Sequence, residues 1–383
     1  MEIKLPVYFK YTVIILGIIL LIWLLQMFQS VLVPLAFAML FALLLLPLIR
    51  DMEYKFRIPR PLAILLSIVL IVVILALVIW FLSVQLLSLT SELDTIGDNI
   101  GNLVDKVQLF LFKKFGIIPS GKSELVRNAV GSLQDIATTF LGNTISITTG
   151  AIAAFTLVPI FVFCLLYYRD HLQQFMFQFV AKDRRSSMMQ TVSNIQSVVQ
   201  SYISGLMIVI VIVSLLNSAG LLILGVKYAI FFGIFASILT IIPYIGIMIG
   251  ALLPALFTLA TTGHLIDAVL VVLVFAFVQF LEGNFITPYI VGSKVSINPF
   301  AAIVALLIGG EIWGAAGMIL SIPFIAMLKV MFDVYEPLKP IGFLLADIDD
   351  VAPKRHRKVT NWLQEIWNGL GRGKRNDDEN KAA

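Results

Sequence analysis

Charged residues are missing from five long stretches of this chain. Tyr11–Ile49, Pro61–Ser91, Ile136–Tyr168, Ser186–Val226 and Tyr228–Ile266 run for 39, 31, 33, 41 and 39 residues without Asp, Glu, Lys or Arg. A helical crossing of bilayer hydrocarbon needs about 20 apolar residues, and the core of a water-soluble domain has no use for runs this long. The first run exceeds one crossing and divides near Gln29 and Ser30, with Pro34 just after. Two helices of about 19 residues fit there, at roughly 10–28 and 32–49. A third helix is expected over 61–91, a fourth over 143–168 and a fifth over 199–225. Residues 1–91 thus hold three membrane helices.

Between the runs the pattern changes. In 92–142, Leu93, Ile96, Ile100, Leu103, Val107 and Phe110 are spaced three and four apart, one apolar stripe on a helix. Ser91 and Asp94 supply a cap. Gly116, Pro119 and Gly121 break the chain, and Leu125, Ala129, Leu133, Ile136 and Phe140 resume the spacing. This predicts a helical hairpin outside the membrane, its stripe covered within the hairpin or by neighbouring copies. The segment 169–198 predicts a connector helix whose apolar face (Phe175, Phe179, Val192, Ile195) lies along the membrane interface. A charged tail fills 336–383.

Basic residues set the orientation. Arg50, Lys55, Arg57 and Arg60 mark one linker, Arg169, Lys182, Arg184 and Arg185 another, and Lys354, Arg355, Arg357, Lys358, Arg372, Lys374 and Arg375 the tail. A cytoplasmic N-terminus, linkers and tail place every cluster on one side. That requires 11–49 to cross twice and 199–335 an even number of times, leaving 92–142 outside.

Composition agrees. Apolar residues make up 60% and charged residues 13%, against about half and about a quarter in soluble domains. The fold class is all-α and polytopic in a membrane. Soluble enzymes, secreted disulfide scaffolds and nucleic-acid binders are excluded, despite a net charge of +4. Cys164 stands alone, a small apolar side chain with no disulfide partner. His171, His264 and His356 have no metal-ligand spacing, so neither a metal nor a cofactor is expected. Lys4 and Lys10 precede the first apolar run without a small-residue cleavage site, which reads as an uncleaved first helix.

The membrane segment 199–335 carries an internal echo. Ile242-Pro243-Tyr244-Ile245 returns 45 residues later, with Thr for Ile, as Thr287-Pro288-Tyr289-Ile290. Gly246 or Gly292 follows, then Pro254 or Pro299, 11 residues after the first proline of each copy. Proline removes a backbone donor and disfavours helix just before it. Unpaired backbone at membrane depth belongs against protein or a water-filled cavity. Two Pro/Gly-interrupted segments at matched places point to a transport site, against ordinary kinks in packed helices. Gly246-x-x-x-Gly250 and Gly310-x-x-x-Gly314 permit close backbone approach.

Charge is sparse in this half. Between Ser186 and Leu328 the Asp, Glu, Lys and Arg residues are Lys227, Asp267, Glu282, Lys294 and Glu311 alone. Lys227 and Asp267 adjoin turns, and Glu311 sits among glycines and Trp313 in a pattern of a membrane-edge turn. Glu282 follows an apolar helix, beside Gln279, Gly283 and Asn284 and six residues before Pro288. An intramembrane carboxylate is a transport candidate by default. A structural pair with Lys294 is the competing reading.

At these residues the chain resembles the autoinducer-2 exporter family of bacterial membrane proteins. The resemblance rests on Pro243-Tyr244-Ile245-Gly246, on Gln279-x-x-Glu282-Gly283-Asn284-x-x-x-Pro288-x-x-x-Gly292-x-Lys294-Val295, and on Asn298-Pro299. It extends through Gly309-Gly310-x-x-x-Gly314-x-x-Gly317 to Ile322-Pro323, and to Phe163-x-Leu165-Leu166-x-x-Arg169-Asp170, Pro34 and Pro47. The likeness covers about residues 10–335. It implies about eight passes in the inner membrane, a mobile external insert, homo-oligomers, and export of a small signalling molecule or metabolite. Sodium (cation)/proton antiport, linked to other members, is the alternative. Asn298 stands where the family commonly has His, which removes a titratable group there.

The chain has no Gly-x-x-x-x-Gly-Lys-[Ser/Thr] loop, so ATP hydrolysis within it is not the driver. An intramembrane enzyme would need a nucleophile with a base, and neither Gly-x-Ser-x-Gly nor paired intramembrane Asp is present. A scaffold built on the external hairpin gives no reason for two matched breaks. The expected transport residues are Glu282, Gln279, Asn284, Lys294 and Asn298, with backbone exposed around Pro243, Tyr244, Gly246, Pro254, Pro288, Tyr289, Gly292 and Pro299. The expected partners are the lipid bilayer, a small-molecule or cation substrate and further copies of the chain.

Overall fold

A computed structural model describes residues 7–90, 156–242, 245–292 and 297–347. The expected hairpin of 92–142, the start of 143–168, Pro243, Tyr244, Lys294 and most of the tail lie outside the described residues. Among the described residues the protein is all helical, with no strand. Five helices are long and apolar enough to cross a membrane: Gln29–Tyr54, Arg60–Leu89, Lys182–Ile223, Leu265–Val291 and Pro299–Val334.

Helices α1 (Val7–Met27) and α2 (Gln29–Tyr54) divide at Phe28, one residue from the expected place. Helical bonding continues across the joint, with Leu32 N donating to Phe28 O at 2.9 Å. Among its described residues α1 buries none. Pro34 and Pro47 lie inside α2 and do not end it. A left-handed Arg57 (φ 54°) turns the chain into α3 (Arg60–Thr90). With α4 (Thr156–Tyr167), helices α2 and α3 form one apolar core around Ile49, Ile64 and Val162.

Tyr168 bends the chain into α5 (Arg169–Gln178). After a turn, α6 (Arg185–Ile223) runs unbroken for 39 residues, absorbing the second half of the expected connector. Its length of about 58 Å is nearly twice a hydrocarbon core. Along it, Val199 and Ile203 pack on Ala36 and Leu40 of α2.

Two tight helical reversals follow. Helix α7 (Ala229–Leu239) ends in a turn over 240–242, and α8 (Ile245–Thr262) packs back against it. A side chain at Gly246 would overlap the Leu239 carbonyl, and a Cβ at Gly250 would lie 2.9 Å from that of Ala236. At 11 residues, α7 reaches about 17 Å and cannot cross alone. Helix α9 (Leu265–Leu281) leads into π-helical turns at Glu282–Ile286 and Pro288–Gly292.

The last long element, α10 (Pro299–Val334), is folded in two. Trp313 (φ −133°, ψ 19°) and Gly314 (φ 60°, ψ −141°) are non-helical. In a straight helix Gly309 and Gly317 would be about 12 Å apart along the axis. Instead a Cβ on Gly317 would lie 2.6 Å from the Gly309 carbonyl carbon. The first leg, 299–312, spans about 21 Å and the second, 315–334, about 30 Å. Only the second is long enough to cross by itself. Helix α11 (Lys339–Leu345) closes the described chain.

Among the described residues the sequence echo does not extend to conformation. Pro254 lies inside α8, fully buried, whereas Pro299 is exposed at the first position of α10. Around Pro288 the helical path widens but continues. One reversal lies between α7 and α8 and the other at 313–314. Each joins a short first leg to a longer second leg that carries a buried proline, Pro254 or Pro323.

Candidate functional site

The widened turns after α9 build the polar centre of this half. A π-turn bonds residue i to i+5 and brings side chains five apart onto one face; such turns are rare and frequent at functional sites. Here Thr287 N caps onto Glu282 O, and Thr287 Oγ1 donates to Glu282 Oε1 at 2.5 Å. Gln279 Nε2, one turn earlier, donates to Glu282 Oε2 at 2.5 Å. Both carboxylate oxygens are thus held by neutral donors. Among the described residues no lysine or arginine nitrogen lies within 4 Å of them.

Magnitudes make the arrangement self-consistent. A carboxylate near the bilayer centre costs about 2.5–3.5 kcal/mol on insertion scales. A hydrogen bond to a charged group contributes about 1.5–3 kcal/mol, so two offset that cost without a cation. Pro288 has no N–H to give, which favours the widened turn over a regular one. Asn284 Nδ2 donates to the Phe280 carbonyl at 2.8 Å rather than to Glu282. The half-buried Glu282 sits on a partly lipid-facing rod, with Phe280 and Phe285 in edge contact at 6.0 Å beside it. The other side packs on α6, where Gly205 leaves room for Val291 and Ile290.

The structure therefore joins Glu282 to Gln279 and adds Thr287, which sequence reasoning missed. Its signal was a hydroxyl five residues after the carboxylate and just before a proline. Asn298 lies apart from this cluster: its Oδ1 accepts from Ala301 N at the start of α10 (2.8 Å), and its Nδ2 donates to Leu344 O (2.6 Å) and Ala346 O (3.2 Å). It clamps α11 to the foot of the 299–312 leg. Gly246 makes the α7–α8 reversal, while Tyr289 points outward, nine-tenths exposed.

Further polar contacts hold the frame. The 313–314 turn docks on the end of α1, Trp313 Nε1 donating to Leu25 O (2.9 Å) and Gln26 Nε2 to Glu311 O (3.3 Å). Asn217 of α6, buried, donates to Ser237 Oγ of α7 at 3.3 Å. At the α2–α3 turn, Glu53 lies 2.6 Å from Arg169 and 3.4 Å from Arg60, and Asp170 lies 2.8 Å from Arg60. This cluster ties the start of α5 to α2 and α3. No group of three or more His, Cys, Asp or Glu residues fit to hold a metal occurs among the described residues.

Comparison with known proteins is consistent with this architecture. Residues 12–337 match the family model described as AI-2E family transporter. The chain is 25% identical over 320 residues to "AI-2 transport protein TqsA" of Escherichia coli K12, covering 84% of this chain and 90% of that one. It is 25% identical over 301 residues to "Putative transport protein YueF" of Bacillus subtilis, covering 75% and 79%. A shorter match, 40% identical over 131 residues, links it to "Putative transport protein YrrI" of the same organism, covering 34% of this chain and 36% of that one.

Proposed function

The chain belongs to the AI-2E transporter family, and on that premise we propose that it exports a small signalling molecule or metabolite across the bacterial inner membrane. Glu282 is the polar contact on the path, with both termini cytoplasmic and the working unit a homo-oligomer. The observation that carries this reading is the Glu282 carboxylate held by Gln279 and Thr287 inside a 27-residue apolar helical stretch. Its donors are neutral and exchangeable. A passing polar group can replace either without separating an ion pair, which keeps the barrier to passage low. The widened turn supplies the room, and the two short reversals supply backbone that need not cross the whole bilayer. With no nucleotide loop in the sequence, movement is driven by an ion gradient or by the solute's own gradient.

The test is flux in proteoliposomes. The name of one relative makes AI-2 the first solute to load. Glu282→Gln keeps size and hydrogen bonding but removes the charge. Losing a charge-assisted bond worth about 1.5–3 kcal/mol lowers flux roughly 10- to 100-fold. Near-normal flux through a well-folded Glu282→Gln protein defeats the role given to the carboxylate. Flux that depends steeply on sodium and pH in the wild type, with no solute export, identifies cation/proton exchange instead.

A further inference from the structure

Apart from its first turn, helix α5 has no cover among the described residues. It has ten residues and buries none of them. Its first turn is fastened to α2 and α3 through Arg169–Glu53 and Arg60–Asp170, but the rest of so short a helix has little stability in water without a surface beyond the described chain. Its sequence shows which face is held. Tyr168, Leu172, Phe175, Met176 and Phe179 fall within an arc of about 100°, and they are 53, 41, 53, 41 and 76% exposed. Asp170, Gln173, Gln174 and Gln178 lie outside that arc. Phe177, on the far side, is covered by the Arg185 guanidinium, 5.8 Å from its ring.

Position and charge name the occupant. The helix leaves α4 through a single bent residue, Tyr168, with helical hydrogen bonds intact on both sides (Tyr168 N to Cys164 O and Leu172 N to Tyr168 O, each 2.9 Å). It therefore starts where an apolar membrane helix ends. Directly after it, Lys182 and Arg184 are exposed and form no ion pair among the described residues, whereas Arg60 and Arg169 are already engaged with Glu53 and Asp170. An apolar stripe with free cations at one end, emerging at a bilayer surface, matches an anionic lipid leaflet. A neutral protein partner would leave the cations without a role.

We propose that α5 lies in the membrane interface and binds anionic phospholipid headgroups, with its apolar stripe in the acyl boundary and Lys182 and Arg184 on the phosphates. Through Arg169 and Asp170 the helix is fastened to Glu53 and Arg60, so lipid charge acts on the α2–α3 turn.

The test places a fluorophore on Gln178→Cys in a Cys164→Ser background of the full chain, reconstituted in vesicles. Brominated phosphatidylglycerol and brominated phosphatidylcholine serve as quenchers in turn. The expected result is quenching by both, with preference for the anionic lipid that fades as salt rises. Lys182→Gln with Arg184→Gln should cut that preference by about fivefold per side chain, or about 25-fold together. Phe175→Ser with Phe179→Ser should lower quenching by both lipids. Equal quenching by the two lipids overturns the headgroup reading. Absence of quenching overturns the proposal altogether. Quenching that emerges only on deletion of 348–383 overturns it in favour of the tail as the cover. Dye self-quenching between copies, without lipid quenching, does so in favour of a neighbouring chain.

Discussion

Replacing Gly317 with alanine decides whether 299–334 is a rod or a folded pair. In a rod, Gly→Ala inside a helix stabilises by about 1 kcal/mol through propensity alone. In the folded form the new Cβ falls 2.6 Å from the carbonyl carbon of Gly309 and 3.1 Å from the Trp313 Cβ. Ordinary carbon contacts need about 3.5–4.0 Å, and the Cβ overlaps the Gly309 carbonyl oxygen more deeply still, so the legs must part by more than about 1 Å. Neither neighbour is a flexible side-chain end; one is backbone. Overpacking of this kind costs typically about 1–3 kcal/mol, and it strains the hydrogen bond from Ser321 Oγ to Gly317 O (2.6 Å). The two architectures thus predict opposite signs. The assay is thermal unfolding in detergent, followed by tryptophan fluorescence because Trp313 sits at the turn. Gly17→Ala is the control, since nothing lies within 4 Å of a Cβ there. Gly317→Ala should melt lower than wild type while Gly17→Ala does not. A Gly317→Ala protein as stable as wild type, or more so, refutes the folded pair.

Two further outcomes follow from the frame. Glu53→Gln and Arg169→Gln should each destabilise the protein, and the double variant should recover part of the loss, with a coupling of about 0.5–3 kcal/mol in a double-mutant cycle by chemical unfolding; zero coupling would mean that the 2.6 Å contact contributes nothing. In a Cys164→Ser background, Ser123→Cys should react with an impermeant thiol reagent from outside intact cells and Ser187→Cys should not; the reverse pattern would invert the orientation.

The all-helical membrane fold was legible from charge-free runs because exclusion of charge from hydrocarbon is a strong, local and one-dimensional rule. Helices α2 and α3 ended close to where their runs ended. Glu282 and its Gln279 donor were legible for the same reason: a carboxylate and an amide three apart on a helix share a face whatever surrounds them. The boundary between connector and fifth helix was not. Polarity marks where a helix leaves lipid, but only breakers mark where it stops, and none occurs between Arg185 and Val199.

What the tertiary structure alone decided was direction and pairing. The 45-residue echo matched letters, yet Ile245 of one copy opens α8 while Pro288–Ile290 of the other lie in widened turns. Proline fixes only its own φ and one missing bond, which a bend, a π-turn or a cap can each absorb. The true reversal at Trp313–Gly314 rests on glycines eight apart, Gly309 and Gly317, whose closeness exists only once the chain has turned. Asn298 reads as a polar candidate in one dimension and as a clamp in three, because its partners lie 46 and 48 residues away. The sequence by itself determined which residues tolerate lipid and where charge is confined, since both are properties of a residue and its solvent. Which backbones approach, and which side chains a carboxylate can reach, depend on pairs distant along the chain, and no local pattern carries that information.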